Sequence, residues 1–600
     1  MPPKLIDLRF PTAGLNRRLA YKQQAPFTSP CMLNVRPSDT LLGRDRGGSR
    51  PGLAKSLALD LEAEFQYLGS VTWISAGVPV TQMMAIVEGQ LYREFSGDWE
   101  EVSGATFPDT GRICGIERLQ KIYFPVGGNS LLSGTNGTVD NPSPFTNDTA
   151  TFTDPSVADW TAHGLNVGDI IALGSQGSYE ILEINVDEIR IANIGHYPKT
   201  NVPPSTYIYV WSIVPTGGDV PQIYDPATNT VSDWEVAEGS YPAGVTFGWL
   251  WRDRIMLSGD PASPHIVYAS RAGDPFDFDY SQDDAGAAFA TNSGSQAGLI
   301  GRPVTSGFAT NDDYCITGCA DQLYLFRGDP TAGGEVMPLS INVGIIDQQA
   351  WCVTPSGWIY FLSLNGLYAI PPSANSRPIE ISRATLPADL LAIDATAFRV
   401  LMAYDLRDSG IHLFVVPLSG TDPGTHYWIT TDTEAGGGPR AQFFPASYPF
   451  DFEPTCLFAR QDSTNAYSGV WLGCRDGFSR SHRDDQATDD GTPIDSYVVL
   501  GPIDLSGGSG YHEGRLKELV AKLASDSGEV DWEVTVGATA QDAFEADPFG
   551  VSGTWSMPGL NPKERPRARG AAFCLKLSSN ERWALESLLA VIERAGVQRL

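Results

Sequence analysis

Twenty residues decide the fold: Trp351-Cys-Val-Thr-Pro-Ser-Gly-Trp-Ile-Tyr-Phe-Leu-Ser-Leu-Asn-Gly-Leu-Tyr-Ala-Ile370. Aromatic and β-branched residues alternate on both sides of a glycine-containing turn, the period of paired strands with one apolar face. The same unit recurs along the chain. Met83-Met-Ala-Ile-Val-Glu-Gly-Gln-Leu-Tyr-Arg-Glu-Phe runs into a turn at Ser96-Gly-Asp and on to Trp99-Glu-Glu-Val. Further copies are Gly115 to Phe124, Phe247-Gly-Trp-Leu-Trp with His265-Ile-Val-Tyr-Ala-Ser, and Tyr314-Cys-Ile-Thr-Gly-Cys with Leu323-Tyr-Leu-Phe. Val400-Leu-Met-Ala-Tyr with Ile411-His-Leu-Phe-Val-Val, and Cys456-Leu-Phe-Ala-Arg with Val470-Trp-Leu-Gly-Cys, complete the set at about seven hairpins. Hairpins with unequal loops fit four-stranded blades of about 40–50 residues around an axis better than stacked sandwiches.

Composition agrees. At 600 residues the chain exceeds a single compact core, and 62 glycines with 43 prolines favour short strands and tight turns over long helices. Hydrophobic residues at 42% exclude global disorder. The expected fold is mainly β: a β-propeller with an inserted small β domain and a terminal β-rich platform domain. Residues 1–60 form a basic N-terminal arm or platform segment and 61–135 the first propeller strands. Between 136 and 215 the rhythm breaks into close short strands, the inserted domain. Residues 216–490 resume the propeller, and 491–600 form the C-terminal β-rich domain, with Trp583 to Glu593 read as a strand.

The search for chemistry finds little. Gly174-Ser-Gln-Gly only approaches a nucleophile elbow, and Gly47-Gly-Ser-Arg-Pro-Gly lacks the lysine and the strand–loop–helix setting of a phosphate loop. Seven histidines show no paired spacing, and His412 alternates with apolar neighbours as a strand residue does. Eight scattered cysteines read as buried free thiols of a protein made in a reducing cytoplasm. The densest acidic run, Asp274 to Asp284, offers Asp277, Asp279, Asp283 and Asp284 as calcium ligands without the spacing of a twelve-residue calcium loop; a solvated blade loop is the plainer reading. No catalytic residue and no cofactor is expected. No stretch is apolar enough to span a membrane as a helix.

The net charge of −30 argues against a protein that coats nucleic acid. The charge is uneven. Residues 1–55 carry ten basic and three acidic side chains, leaving 31 basic and 68 acidic over the rest. A basic arm on an acidic body points to docking on an acidic neighbour; a solvated segment is the alternative.

The segment Phe10-Pro-Thr-Ala-Gly-Leu-Asn-Arg-Arg-Leu-Ala-Tyr-Lys-Gln-Gln-Ala-Pro-Phe-Thr-Ser-Pro-Cys-Met-Leu-Asn-Val-Arg-Pro-Ser-Asp, closed by Gly43-Arg-Asp-Arg-Gly-Gly-Ser-Arg-Pro-Gly-Leu, resembles the openings of tail nozzle (tail tubular) proteins of short-tailed, podovirus-like bacteriophages. The resemblance covers about 45 residues at one end. It implies a virion structural protein, not an enzyme, made in the host cytoplasm and assembled as a homohexamer below the adaptor (head-to-tail connector) ring, beside tail fibres or spikes. Such a ring is a conduit and gate for genome ejection, its acidic lumen letting DNA slide without specific binding. Arg36, Arg44, Arg46 and Arg50, with Lys563, Arg565, Arg567 and Arg569, are the expected subunit or adaptor contacts. The alternatives are a receptor-binding tail protein, which is expected to be trimeric and fibrous, and a propeller-fold carbohydrate-binding protein or hydrolase.

Overall fold

A computed structural model shows a chain built almost wholly of short, mostly antiparallel strands. It describes residues 3–597 except 106, 110, 126–131, 141–148, 164, 166, 174–177, 193–208, 215–220, 243, 262, 292–299, 310, 374–375, 387, 422, 433–438, 461–468, 507–511 and 547–550. The Gly174 to Gly177 near-motif lies outside the described residues. Among those described, no helix is long and apolar enough to cross a membrane.

Among the described residues, seven four-stranded sheets follow one another as blades. Blade 1 is Phe65–Ser75, Val78–Val87, Gln90–Phe95 and Asp98–Val102; blade 2 is Ile116–Arg118, Lys121–Phe124, Gln222–Asp225 and Thr230–Asp233. Blade 3 begins at Phe247–Trp251, blade 4 at Val304–Ala309, blade 5 at Trp351–Val353 and blade 6 at Phe398–Asp405. Blade 7 has three strands of its own, Pro454–Arg460, Gly469–Cys474 and Ser479–Arg483, and takes its fourth from the opposite end of the chain, Gly52–Lys55. Leu53 pairs with His482 there and is fully buried between blades 6 and 7.

Stacking and hydrogen-bond contacts between neighbouring blades close the ring, with first strands in most of them. Phe308 of blade 4 stacks on Trp351 of blade 5 at 4.0 Å, and Trp249 of blade 3 donates its indole N–H to Cys315 Sγ of blade 4 at 3.1 Å. The last blade meets the first where Thr455 Oγ1 donates to the Phe65 carbonyl at 2.7 Å. Aromatic pairs of this kind add about 0.5–1.5 kcal/mol each beyond the area they bury. No blade buries both its faces alone, so the ring holds as a whole.

Blade 2 is interrupted between its second and third strands. The inserted strands, from Leu132–Asp140 to Tyr209–Val214, form a six-stranded closed barrel around Phe152, Trp160, Ile171, Ile181 and Ile189. Closure leaves the barrel no free edge to pair elsewhere.

The two chain ends build a β-sandwich together. One sheet joins Lys4–Asp7 to Leu585–Val597, His512–Leu523, Gly559–Leu560 and Ala568–Gly570. The other joins Met32–Leu33 to Ser496–Asp504, Ala572–Ser579, Val530–Gly537 and Ser552–Trp555. Trp583 is fully buried and meets Phe10 edge-on at 6.3 Å. The terminal domain expected over 491–600 is therefore completed by the N-terminal segment, which is no free arm: its apolar residues Leu8, Phe10, Leu15, Met32 and Val35 lie in one core with the sandwich and blades 4 to 6.

Candidate functional site

Charge chemistry concentrates where the chain enters and leaves the propeller. It enters through Arg50-Pro51-Gly52 and leaves after Asp489, the two covalent links to the sandwich. Arg50 is 1% exposed. Its Nη1 and Nη2 donate to the two carboxylate oxygens of Asp489 at 2.8 and 2.5 Å, Nε donates to Asn34 Oδ1 at 2.9 Å, and the carbonyls of Pro51 and Ser447 take the remaining hydrogens. All five guanidinium donors are used, and the plane lies 4.3 Å over the Tyr448 ring. Burial works against the charge, but Asp489 more than restores it, holding the guanidinium above its ordinary pKa.

Asn34 is the hub. Its amide nitrogen donates to the Asp495 carbonyl at 2.7 Å, and its Oδ1 also accepts from the Ser447 backbone N–H at 2.9 Å. One side chain thus ties the N-terminal segment to blade 6 and to the exit strand. Arg36 lies beside this network, enclosed, with its guanidinium 4.0 Å over Trp428 and no carboxylate within ion-pair distance among the described residues. Burial lowers its pKa to about 10.

The glycine-rich run is a crossing, not a phosphate cradle. Gly47 has φ +73°, and a Cβ there would fall 2.0 Å from the Phe10 ring; a Cβ on Gly52 would fall 2.3 Å from the Thr488 carbonyl. Glycine lets the entering strand pass over the sandwich and the exit strand at backbone contact.

Three imidazoles share this buried region. His412 of blade 6 and His482 of blade 7 stack with ring centroids 4.6 Å apart and planes 15° from parallel. His482 Nε2 meets the Tyr448 hydroxyl at 2.9 Å, and His426 Nε2 meets Glu453 Oε1 at 3.1 Å. All three are at least 97% buried, and burial is the main reason each has a lowered pKa.

The eight basic residues singled out in the sequence divide accordingly. Arg36 and Arg50 are enclosed in the fold and present nothing to a neighbouring subunit; this corrects the sequence expectation, because an internal carboxylate and two aromatic faces take them up. Arg46 is mostly covered, paired with Asp39 at 2.7 Å and with Glu586. Arg44 is exposed. Lys563, Arg565, Arg567 and Arg569 all point to solvent along one edge of the sandwich, with Glu518 3.9 and 3.8 Å from Lys563 and Arg565 and Glu513 2.6 Å from Arg569.

The calcium candidate is also corrected. Arg271 reaches into the acidic loop, 2.9 Å from Asp284 and 4.0 Å from Asp277, and bonds Gln282, so a guanidinium takes the place offered to a cation. Asp277 and Asp279 spend their oxygens on backbone turns, accepting from the N–H groups of Asp279 and Ser281. No cluster of metal-ligating side chains occurs among the described residues.

One ion pair links blades that are not neighbours in the ring. Arg112, leading into blade 2, forms a two-pronged pair with Asp347, leading into blade 5, at 2.8 and 3.2 Å. Blades 2 and 5 are separated by two others along the chain, so the pair reaches across the ring. Asp347 also accepts from the Val400 N–H of blade 6, and Arg399 donates to the Thr455 carbonyl of blade 7.

The fold defines a β-propeller protein carrying an inserted barrel and a sandwich made from both chain ends. The chain matches no known protein family, and no curated sequence is similar to it. Among solved structures it is similar to Kluyveromyces lactis Hsv2, at 9% identity and a TM-score of 0.26 over 62% of this chain and 95% of that one. It is also similar to PorZ, an essential bacterial surface component of the type-IX secretion system of Porphyromonas gingivalis, at 12% identity and a TM-score of 0.20 over 75% and 58%. Likenesses this low carry no argument about function.

Proposed function

We propose that this chain is a structural protein of a short-tailed phage virion, the nozzle that rings the genome's exit path below the adaptor. The observation that carries the reading is the partition of charge between the domains. The sandwich, residues 1–50 and 494–600, holds 20 basic and 18 acidic side chains, leaving 21 basic and 53 acidic on the propeller and barrel. A body so acidic repels DNA phosphates, which suits a wall that duplex must slide past. The conduit of such an assembly runs between copies and not through any one propeller, where Arg112 and Asp347 pair across the ring. The nearly neutral sandwich, with its solvent-facing basic edge, is then the part that packs against neighbouring copies and the adaptor, while fibres or spikes attach outside. The reading assigns the chain no catalytic step and no cofactor.

Native mass measurement of the purified full-length protein, alone and with the adaptor, tests this. Six copies agree with a nozzle; three indicate a receptor-binding protein, and one a propeller enzyme or sugar binder. Either of the last two outcomes ends the proposal.

A further inference from the structure

We propose that the His412–His482 stack is an acid-operated latch between the sandwich and the propeller. The stack is one contact of blade 6 with blade 7, close to the N-terminal segment, and cations surround it. From the N-terminal segment Arg36 and Arg50 face it; from the turn after the first strand of blade 6 come Asp405, Arg407 and Asp408; from the segments beyond blades 6 and 7 come Tyr448, Asp484 and Asp489. Two of these carboxylates are already engaged, Asp489 by Arg50 and Asp408 by Arg407; Asp405 lies 3.6 Å from His412 Nε2, beyond hydrogen-bond reach but within ion-pair distance. His482 Nδ1 and His412 Nε2 have no hydrogen-bond partner among the described residues. Protonating both rings would place two positive charges 4.6 Å apart beside two buried guanidinium groups, with Asp405 within ion-pair distance of His412 and, among the described residues, no carboxylate within that distance of His482.

In the open state of this latch the segment bearing Arg36 and Arg50 lifts off blades 6 and 7, admitting water to both imidazoles. The sign follows from linkage. Burial first, then the neighbouring cations, lowers the pKa of His482 in the closed state, and burial lowers that of His412. The stabilisation from neutral rings is therefore complete above the ordinary imidazole pKa of about 6.5 and is lost as pH falls below it. Each ring that gains a proton on opening raises the opening equilibrium up to about tenfold per pH unit, so the stack as a pair gives up to about a hundredfold. His426 is no part of the latch, because it lies outside the stack and Glu453 already holds its Nε2 at hydrogen-bond distance, 3.1 Å.

Hydrogen exchange of the full-length protein, corrected for intrinsic rates, tests this between pH 7.5 and 5. Backbone protection over residues 34–50 and 479–489 is expected to fall steeply below pH 6.5 while blades 1 to 4 keep theirs. His412→Phe and His482→Phe, each retaining an aromatic ring in the stack, are expected to reduce the slope from about a hundredfold to about tenfold per pH unit. Equal loss of protection in all blades, or an unchanged pH slope in both folded variants, overturns the latch. Where a variant does not fold, the wild-type comparison of segments decides alone.

Discussion

Arg50 and Asp489, 439 residues apart in the chain, form a two-pronged buried ion pair at the point where the polypeptide enters and leaves the propeller. The pair makes the two chain crossings one structural element. It also anchors the strand that completes blade 7, which starts two residues after Arg50. Removing one partner leaves the other buried and unpaired, which costs about 3–5 kcal/mol. Arg50→Met and Asp489→Leu are each expected to destabilise by that order, and the double variant by much less than their sum. Denaturant unfolding of the four proteins in a double-mutant cycle measures the difference.

Leu53 closes the ring through apolar burial. Leu53→Ala removes buried methyl groups from a site with no exposure, and about 2–5 kcal/mol of stability is expected to go with them. The loss is local in its first consequence: the neighbouring strand Ser479–Arg483 is expected to lose hydrogen-exchange protection before blades 2 to 5 do.

Arg271 sets the cation behaviour of the acidic loop. Millimolar calcium is expected to leave the melting temperature of the wild-type protein unchanged. Arg271→Ala is expected to lower the melting temperature and to make it rise with added calcium, since Asp277 and Asp284 lose their counter-charge together. Thermal melts of both proteins with calcium and with a chelator read this out.

The thiols give a pH prediction. Burial pushes the Cys315, Cys474 and Cys574 thiols up to about 12, so they carry almost no thiolate at pH 8, or even at pH 10, while the protein is folded. A chromogenic disulfide reagent is expected to reach at most the half-buried Cys31 and Cys114 in the native state, and all eight cysteines after unfolding.

Solvent-facing basic residues separate the assembly role from folding. Arg44→Glu with Arg565→Glu and Arg567→Glu is expected to leave the melting temperature within a few degrees, because none of the three is buried. If the chain assembles as proposed, the same change is expected to weaken or abolish that assembly, read by native mass. Arg36 and Arg50 cannot serve in that test, since changing them damages the junction itself.

How much the sequence determines differs between the blades and the charged junction. Each of the seven hairpins picked out by alternation falls in a different blade, Trp351 to Ile370 in blade 5 and Cys456 to Cys474 in blade 7. Alternation is a local property, written into neighbouring residues by which face of a strand must be dry, so it survives in the bare sequence. The strand at Leu585–Val597 and the interruption that becomes the barrel are legible for the same reason. The tertiary structure alone decided that Gly52–Lys55 completes blade 7, that both chain ends share one sandwich, and that Arg36 and Arg50 turn inward. Those outcomes depend on partners hundreds of residues away, and a long-range pairing leaves no periodic mark at either end. An arginine in a polar, glycine-rich stretch has the same sequence signature whether water or a distant aspartate receives it; only the fold brings Asp489 to Arg50.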